Sequence, residues 1–175
     1  MPNYRRARVP GGTYFFTVAL AERRARLLVE HVGILRDVVR LTRLERPFRI
    51  DAMVILPDHL HAVWTLPEGD DDFPTRWTLI KARFSRAMPH GERISPSREM
   101  KRERGIWQRR YWEHLIRDKA DFRHYVDYCH FNPEKHGLVD RAADWPYSSF
   151  HSYVRRGLYP PEWTVKLRET AEYGE

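Results

Sequence analysis

The sequence predicts a mixed α/β domain of the α+β kind: an antiparallel sheet with two helices on one face. Three observations predict it. β-rich runs and helical periodicities alternate in the order strand, helix, strand, strand, helix, strand. Only Pro57-Asp58 separates the second strand from the third, as in a hairpin. No internal repeat or low-complexity tract argues for a second domain, and 175 residues suffice to bury roughly 70% of the unfolded chain's surface in one core.

The first strand is Thr13-Tyr-Phe-Phe-Thr-Val-Ala-Leu20, β-branched and aromatic, after a basic arm that ends at Gly11-Gly12. Over residues 30–45, Val32, Leu35, Val38, Val39 and Leu44 recur at helical spacing, and Pro47 closes the pattern. Residues 48–56 alternate and then become apolar, and residues 59–66 form the partner strand. Past the polar cluster of residues 67–74, Trp77, Ile80, Lys81, Phe84 and Met88 fit an amphipathic helix with Thr75 as its cap. Residues 89–105 are basic, punctuated by Pro and Gly, and poor in apolar groups, which predicts a mobile loop. Residues 106–117 return to strand-like content. Asp118 then caps a helix over 119–131 that Pro133 ends.

This order is the split βαβ, ferredoxin-like pattern. Its first and third strands are central, so His59-Leu-His61 opens a central strand with both imidazoles on one face. The helix after the last strand is free to pack across the side away from the two covering helices. It carries Tyr128 and Asn132, which share a face at i, i+4.

Composition narrows the partners. Thirty-one Lys and Arg against 24 Asp and Glu leave a net charge of +7. The Arg-rich balance favours a polyanion, since the guanidinium fork suits phosphate and stacks on bases. Six Trp, nine Tyr and eight Phe add stacking platforms. A single cysteine, Cys129, excludes an internal disulfide and a Cys-based zinc site. With no signal-like N-terminus and no run long enough to span a membrane, the expectation is a cytoplasmic protein without membrane contact.

Two imidazoles on one strand face can grip a divalent cation, or they can be two hydrogen-bonded core histidines. Burying both in an apolar strand is costly unless something satisfies them. On the 119–131 helix, Phe122, Val126 and Cys129 form the apolar stripe. Tyr128 and Asn132 lie roughly 100° to one side of it. Tyr125 overlaps the stripe more and reads as a packing residue, with the nucleophile's role as its second possibility. Asn132, immediately before Pro133, either caps the helix or ligates the metal. A phenol attacks poorly at neutral pH unless a cation or base assists, and a metal beside a phosphate supplies that assistance.

The segments 56–64 and 122–133 resemble the His-hydrophobic-His motif and the nucleophile helix of single-tyrosine transposases. More specifically, residues 11–18, 66–73, 107–114, 132–137 and 144–150 resemble the REP-associated tyrosine transposases, over about residues 4 to 163. The resemblance implies metal-dependent cleavage and joining of single-stranded DNA at REP-type hairpins. It implies Tyr128 as nucleophile, His59 and His61 as ligands of Mg²⁺ or Mn²⁺, and Asn132 where related enzymes carry a Gln ligand. It also implies an N-terminal arm, with Tyr4, Arg5, Arg6 and Arg8, that reads DNA at the hairpin foot, and action as a monomer.

Arg98, Lys101, Arg102 and Arg104 either contact phosphates or belong to a solvated charged loop. Residues 1–142 are expected to form the transposase domain with its arm. Residues 143–175 are expected to form a C-terminal extension, packed on the same domain through Trp145, Phe150, Tyr159, Pro160 and Trp163. Two rival functions remain open: a non-catalytic regulator that binds hairpin DNA or RNA, and a metal-dependent hydrolase that uses water.

Overall fold

A computed structural model describes residues 6–164. Four strands, β1 (Thr13–Ala19), β2 (Arg49–Ile55), β3 (His59–Thr65) and β4 (Trp112–Leu115), form one sheet in the order β2-β3-β1-β4. Every adjacent pair is antiparallel, so β1 and β3 are central as the split βαβ order requires. Between the strands lie α1 (Leu27–Glu30), α2 (Val32–Glu45), α3 (Phe73–Ala87) and α4 (Pro96–Met100), and after β4 come α5 (Lys119–Lys135) and α6 (Phe150–Arg155).

The period-2 alternation of the strands divides the core into two layers. Tyr14, Phe16, Val18, Leu60, Ala62 and Trp64 face α2 and α3, where Trp64 stacks on Trp77 at 4.1 Å between ring centroids. The alternate residues Phe15, Ala52, Val54 and Val63 face the other way and pack under α5. The pairing Thr17↔His61 and Ala19↔His59 puts both histidines on this second face.

Several boundaries differ from the sequence expectation, each for a local reason. The cap of α3 is Asp72, whose carboxylate accepts from Thr75 N at 3.2 Å, so Thr75 lies inside the helix. Asp118 does cap α5, accepting from Asp121 N at 2.9 Å. Pro133 does not end α5. The helix runs on to Lys135 and closes in a Schellman turn, with Leu138 N donating to Pro133 O at 3.0 Å and Gly137 N to Glu134 O at 2.9 Å. That closure needs a positive φ, which Gly137 supplies at +64°.

The last strand is also shorter than residues 106–117, since only Trp112–Leu115 pair fully and Trp107 makes an isolated bridge to Leu20. The preceding segment is not an unstructured loop. It contains α4, and Arg104 ties it to the end of α3 by donating to the carbonyls of Ser85, Met88 and Pro89 at 2.8, 3.2 and 2.9 Å while pairing with Glu92. Ser85 lies in the last turn of α3, where carbonyls lack a full set of intrahelical partners, and Met88 and Pro89 follow directly after it.

Beyond α5, residues 147–149 run along the outer edge of β2, through Ile55 N to Tyr147 O and Ser149 N to Met53 O, both 2.8 Å. An exposed strand edge is thereby covered. Trp145 Nε1 donates to Ile55 O at 2.9 Å, and Tyr153 Oη to Asp51 O at 2.8 Å. Among the described residues no helix is long and apolar enough to cross a membrane.

Candidate active site

The site forms where α5 crosses the histidine-bearing strand. His59 and His61 are two residues apart on β3, with ring centroids 4.9 Å apart. Tyr128 descends from α5 onto the same face, its ring 5.2 Å from His61 and 5.9 Å from Phe15. Relative exposures are 2% for His59 and 0% for His61, Tyr128 and Asn132, so the constellation is fully enclosed. This corrects the expectation that Tyr128 stands off the core. At its C-terminal half α5 is covered both by the sheet and by the chain beyond residue 142, so more than one flank is buried.

Each histidine is held through Nδ1. His59 Nδ1 lies 2.8 Å from Asp58 Oδ1, and Asp58 is itself bridged to Arg23 Nε at 2.8 Å. Burial disfavours the Asp58 charge, yet the hydrogen bond from His59 and the Arg23 guanidinium outweigh it and hold the carboxyl below its usual range. A carboxylate can only accept, so His59 carries a hydrogen on Nδ1, and Nε2 is the nitrogen it turns toward the site. That Nε2 is buried and makes no hydrogen bond among the described residues. His61 Nδ1 lies 2.9 Å from Thr17 Oγ1, its cross-strand partner, which can accept in the same way.

A divalent cation suits this donor set. Metal-bound imidazoles characteristically give their second nitrogen to a carboxylate or other acceptor, and a buried nitrogen left over is what a ligand position provides. Asn132 offers a carbonyl oxygen from the turn of α5 after Tyr128. It cannot be the terminal cap, because three further residues of α5 follow it. No group of three or more His, Cys, Asp or Glu side chains among the described residues is disposed to bind a metal, so an amide oxygen would complete the set.

Tyr125, the other tyrosine of this helix, stacks on Phe15 at 4.5 Å and packs against His114 at 4.6 Å. Three features escaped the sequence reading. Lys135 Nζ donates to Tyr128 Oη at 2.8 Å, two helical turns away along α5. His136 places its ring 5.1 Å from that of His59. Arg23, Arg24 and Arg26 line a cleft of about 290 Å³ whose wall includes His59 and His136. Lys135 was hidden by ending the helix at Pro133, and the arginines by their distance along the chain.

The basic residues of the arm and of the segment 98–104 lie on the α3 side of the sheet. Arg6 stacks over Tyr111 at 4.3 Å, donates to its hydroxyl at 2.7 Å and approaches Glu113 at 3.4 Å. Arg8 pairs with Asp71 at 2.9 Å. Arg98 donates to the carbonyls of Arg104 and Trp107, both at 2.8 Å, so Arg98 and Arg104 both have internal acceptors, whereas Lys101 and Arg102 are at the surface. Arg6, Lys81, Arg86, Arg98, Arg102 and Arg109 line one open groove beside α3. Tyr4 and Arg5 lie outside the described residues.

No protein-family model matches the chain. Over 163 residues it is 48% identical to the REP-associated tyrosine transposase of Escherichia coli K12, an alignment that covers 93% of this chain and 91% of that protein. A relative from Haemophilus influenzae named for the same family is 44% identical over 164 residues, 93% of each chain. Among solved structures, a REP-associated tyrosine transposase bound to a REP hairpin superposes with a TM-score of 0.86 at 45% identity, covering 100% of this chain and 98% of that one.

Proposed function

This chain belongs to the REP-associated tyrosine transposases, and from that premise we propose that it nicks and rejoins single-stranded DNA at REP-type hairpins through Tyr128. The observation that carries the proposal is the juxtaposition of Tyr128 with His61 at 5.2 Å on one enclosed face. A tyrosine that merely packed there would not need a cation on its hydroxyl, and Lys135 provides one.

In the proposed reaction Tyr128 Oη attacks the scissile phosphorus in line. The new P–O bond to tyrosine forms as the P–O3′ bond breaks, leaving a 5′-phosphotyrosine and a free 3′-OH. The covalent ester conserves the phosphoryl linkage for rejoining, which simple hydrolysis has no need to do. His59, His61 and Asn132 would hold Mg²⁺ or Mn²⁺. Such a cation polarises a non-bridging phosphate oxygen when bound. Two imidazoles beside one amide oxygen favour Mn²⁺ in affinity, since Mg²⁺ prefers oxygen donors and gives up water reluctantly.

Arg23, Arg24 and Arg26 line the cleft beside His59 and supply charge for the incoming backbone. On the far side of the sheet, the groove beside α3 and the arm through Arg6 and Arg8 are suited to a folded hairpin and its foot. Arg102 lines that groove, and Lys101 next to it is exposed, so these two loop cations are free to meet phosphates. Nucleophile and histidines come from the same chain, so action as a monomer needs no second copy to complete the site. A cytoplasmic, nucleoid-associated location follows from a DNA substrate.

Incubation with Mg²⁺ or Mn²⁺ and a labelled REP-type hairpin oligonucleotide tests the proposal. A DNA adduct that survives denaturing electrophoresis, vanishes in Tyr128→Phe and is not formed on duplex DNA of the same sequence supports it. Product without adduct would indicate a hydrolase. Binding without cleavage would indicate a regulator.

A further inference from the structure

The geometry points to Lys135 as a second catalytic residue, one that holds the attacking oxygen of Tyr128 and neutralises the phosphodiester it attacks; this rests on the phosphotyrosine chemistry proposed above. Lys135 Nζ lies 2.8 Å from Tyr128 Oη and 4.9 Å from the centre of its ring. The two residues are seven apart, almost two full turns, so one face of α5 presents both. That alignment exists only because α5 continues through Pro133 to the turn at Gly137.

Two features separate this arrangement from an ordinary surface lysine. Lys135 occupies an exposed position, yet its ammonium reaches back to the oxygen of a ring with 0% exposure. That oxygen is the one group in the site that the proposed chemistry turns into a nucleophile. A donor on Oη fixes where the oxygen lone pairs point, which is the alignment an in-line displacement requires. As the P–O bond forms, negative charge spreads over the equatorial oxygens, and a preplaced ammonium is worth most in a site closed to water. In balance, the P–O bond to tyrosine replaces the P–O3′ bond, the phenolic proton passes to water, and the 3′ oxygen takes a proton from water. Lys135 begins and ends the step as an ammonium ion.

The test uses the whole chain and a hairpin oligonucleotide that traps the covalent product, with Lys135→Met, Lys135→Gln and Lys135→Arg. Single-turnover adduct formation should slow about 10²-fold in the Met and Gln variants, the usual effect of removing one oriented donor. Arg should restore it to within about tenfold, whereas the melting temperature should match the parent in all three. A merely structural lysine would change the melting temperature and leave the rate constant alone. Adduct formation within threefold of the parent in both neutral variants overturns the proposal while leaving the role of Tyr128 intact. A parent protein that forms no adduct, or an adduct that persists in Tyr128→Phe, overturns both.

Discussion

Thr17 Oγ1 lies 2.9 Å from His61 Nδ1, and the two residues are direct partners across the β1–β3 ladder. The sheet register therefore sets the orientation of the imidazole as well as its position. Asp58 does the same for His59 from the turn that joins β2 to β3. Outer partners of this kind are worth about 10- to 100-fold in metal affinity. Thr17→Val and Asp58→Ala should each weaken Mn²⁺ binding by about that factor, as read by calorimetric titration. Unchanged affinity in both would remove the histidines from the metal site.

The end of α5 depends on one glycine. Gly137→Ala forces a Cβ onto a φ of +64° and should cost about 1 kcal/mol. For a chain of this size that is a fall of about 2–4 °C in melting temperature. Amide exchange over residues 133–138 should accelerate with it. A melting temperature equal to the parent's would show that the turn does not anchor the helix.

His130 makes stability depend on pH. Burial first, and the neighbouring His151 second, hold its pKa down to about 3, against about 6.5 unfolded. The folded ring is neutral: Tyr159 Oη donates to Asp127 and so accepts from Nδ1 at 3.3 Å, which leaves Nε2 to accept from Ser149 Oγ at 2.8 Å. Between these two values the unfolded chain binds one more proton than the folded one. The contribution of His130 is therefore complete above pH 6.5 and is lost as pH falls toward 3, with a slope of about 1.4 kcal/mol per pH unit. Urea denaturation from pH 7 to 4.5 should show a shallower loss in His130→Gln than in the parent. Equal slopes would contradict the assignment.

Arg104 and its neighbours should separate by role. Arg104→Ala removes the group that donates to the carbonyls of Ser85, Met88 and Pro89 and should cost about 2–3 kcal/mol in stability. Lys101→Ala and Arg102→Ala should change stability by less than about 0.5 kcal/mol. Each should instead reduce the salt slope of hairpin binding by about one for every phosphate it no longer neutralises. Denaturation and anisotropy at several salt concentrations distinguish the two patterns.

Much of this architecture was legible because it is periodic. The alternation around His59 and His61 announced a strand with both rings on one face, and Asp118 announced the start of α5. The boundary errors arose where long-range partners overrule local propensity. Pro133 reads as a helix stop, yet Gly137 is the residue that can adopt the closing turn, and misplacing that end concealed Lys135. Residues 89–105 read as a free loop because two of the carbonyls that engage Arg104, those of Ser85 and Met88, precede the segment at the end of α3. Tyr128 reads as off the core because one apolar stripe cannot reveal that a helix is covered on more than one flank. The arginines at 23, 24 and 26 sit in a polar turn with no local periodicity, and only the fold brings them beside His59.

In the proposed reaction it is Tyr128 itself that becomes linked to DNA. The most direct measurement is mass spectrometry of the tryptic peptide 124–135 from protein reacted with a trapping hairpin oligonucleotide. That peptide contains both Tyr125 and Tyr128. Fragmentation should place the nucleotide mass on Tyr128. Its attachment to Tyr125, or to any residue outside the peptide, would contradict the account.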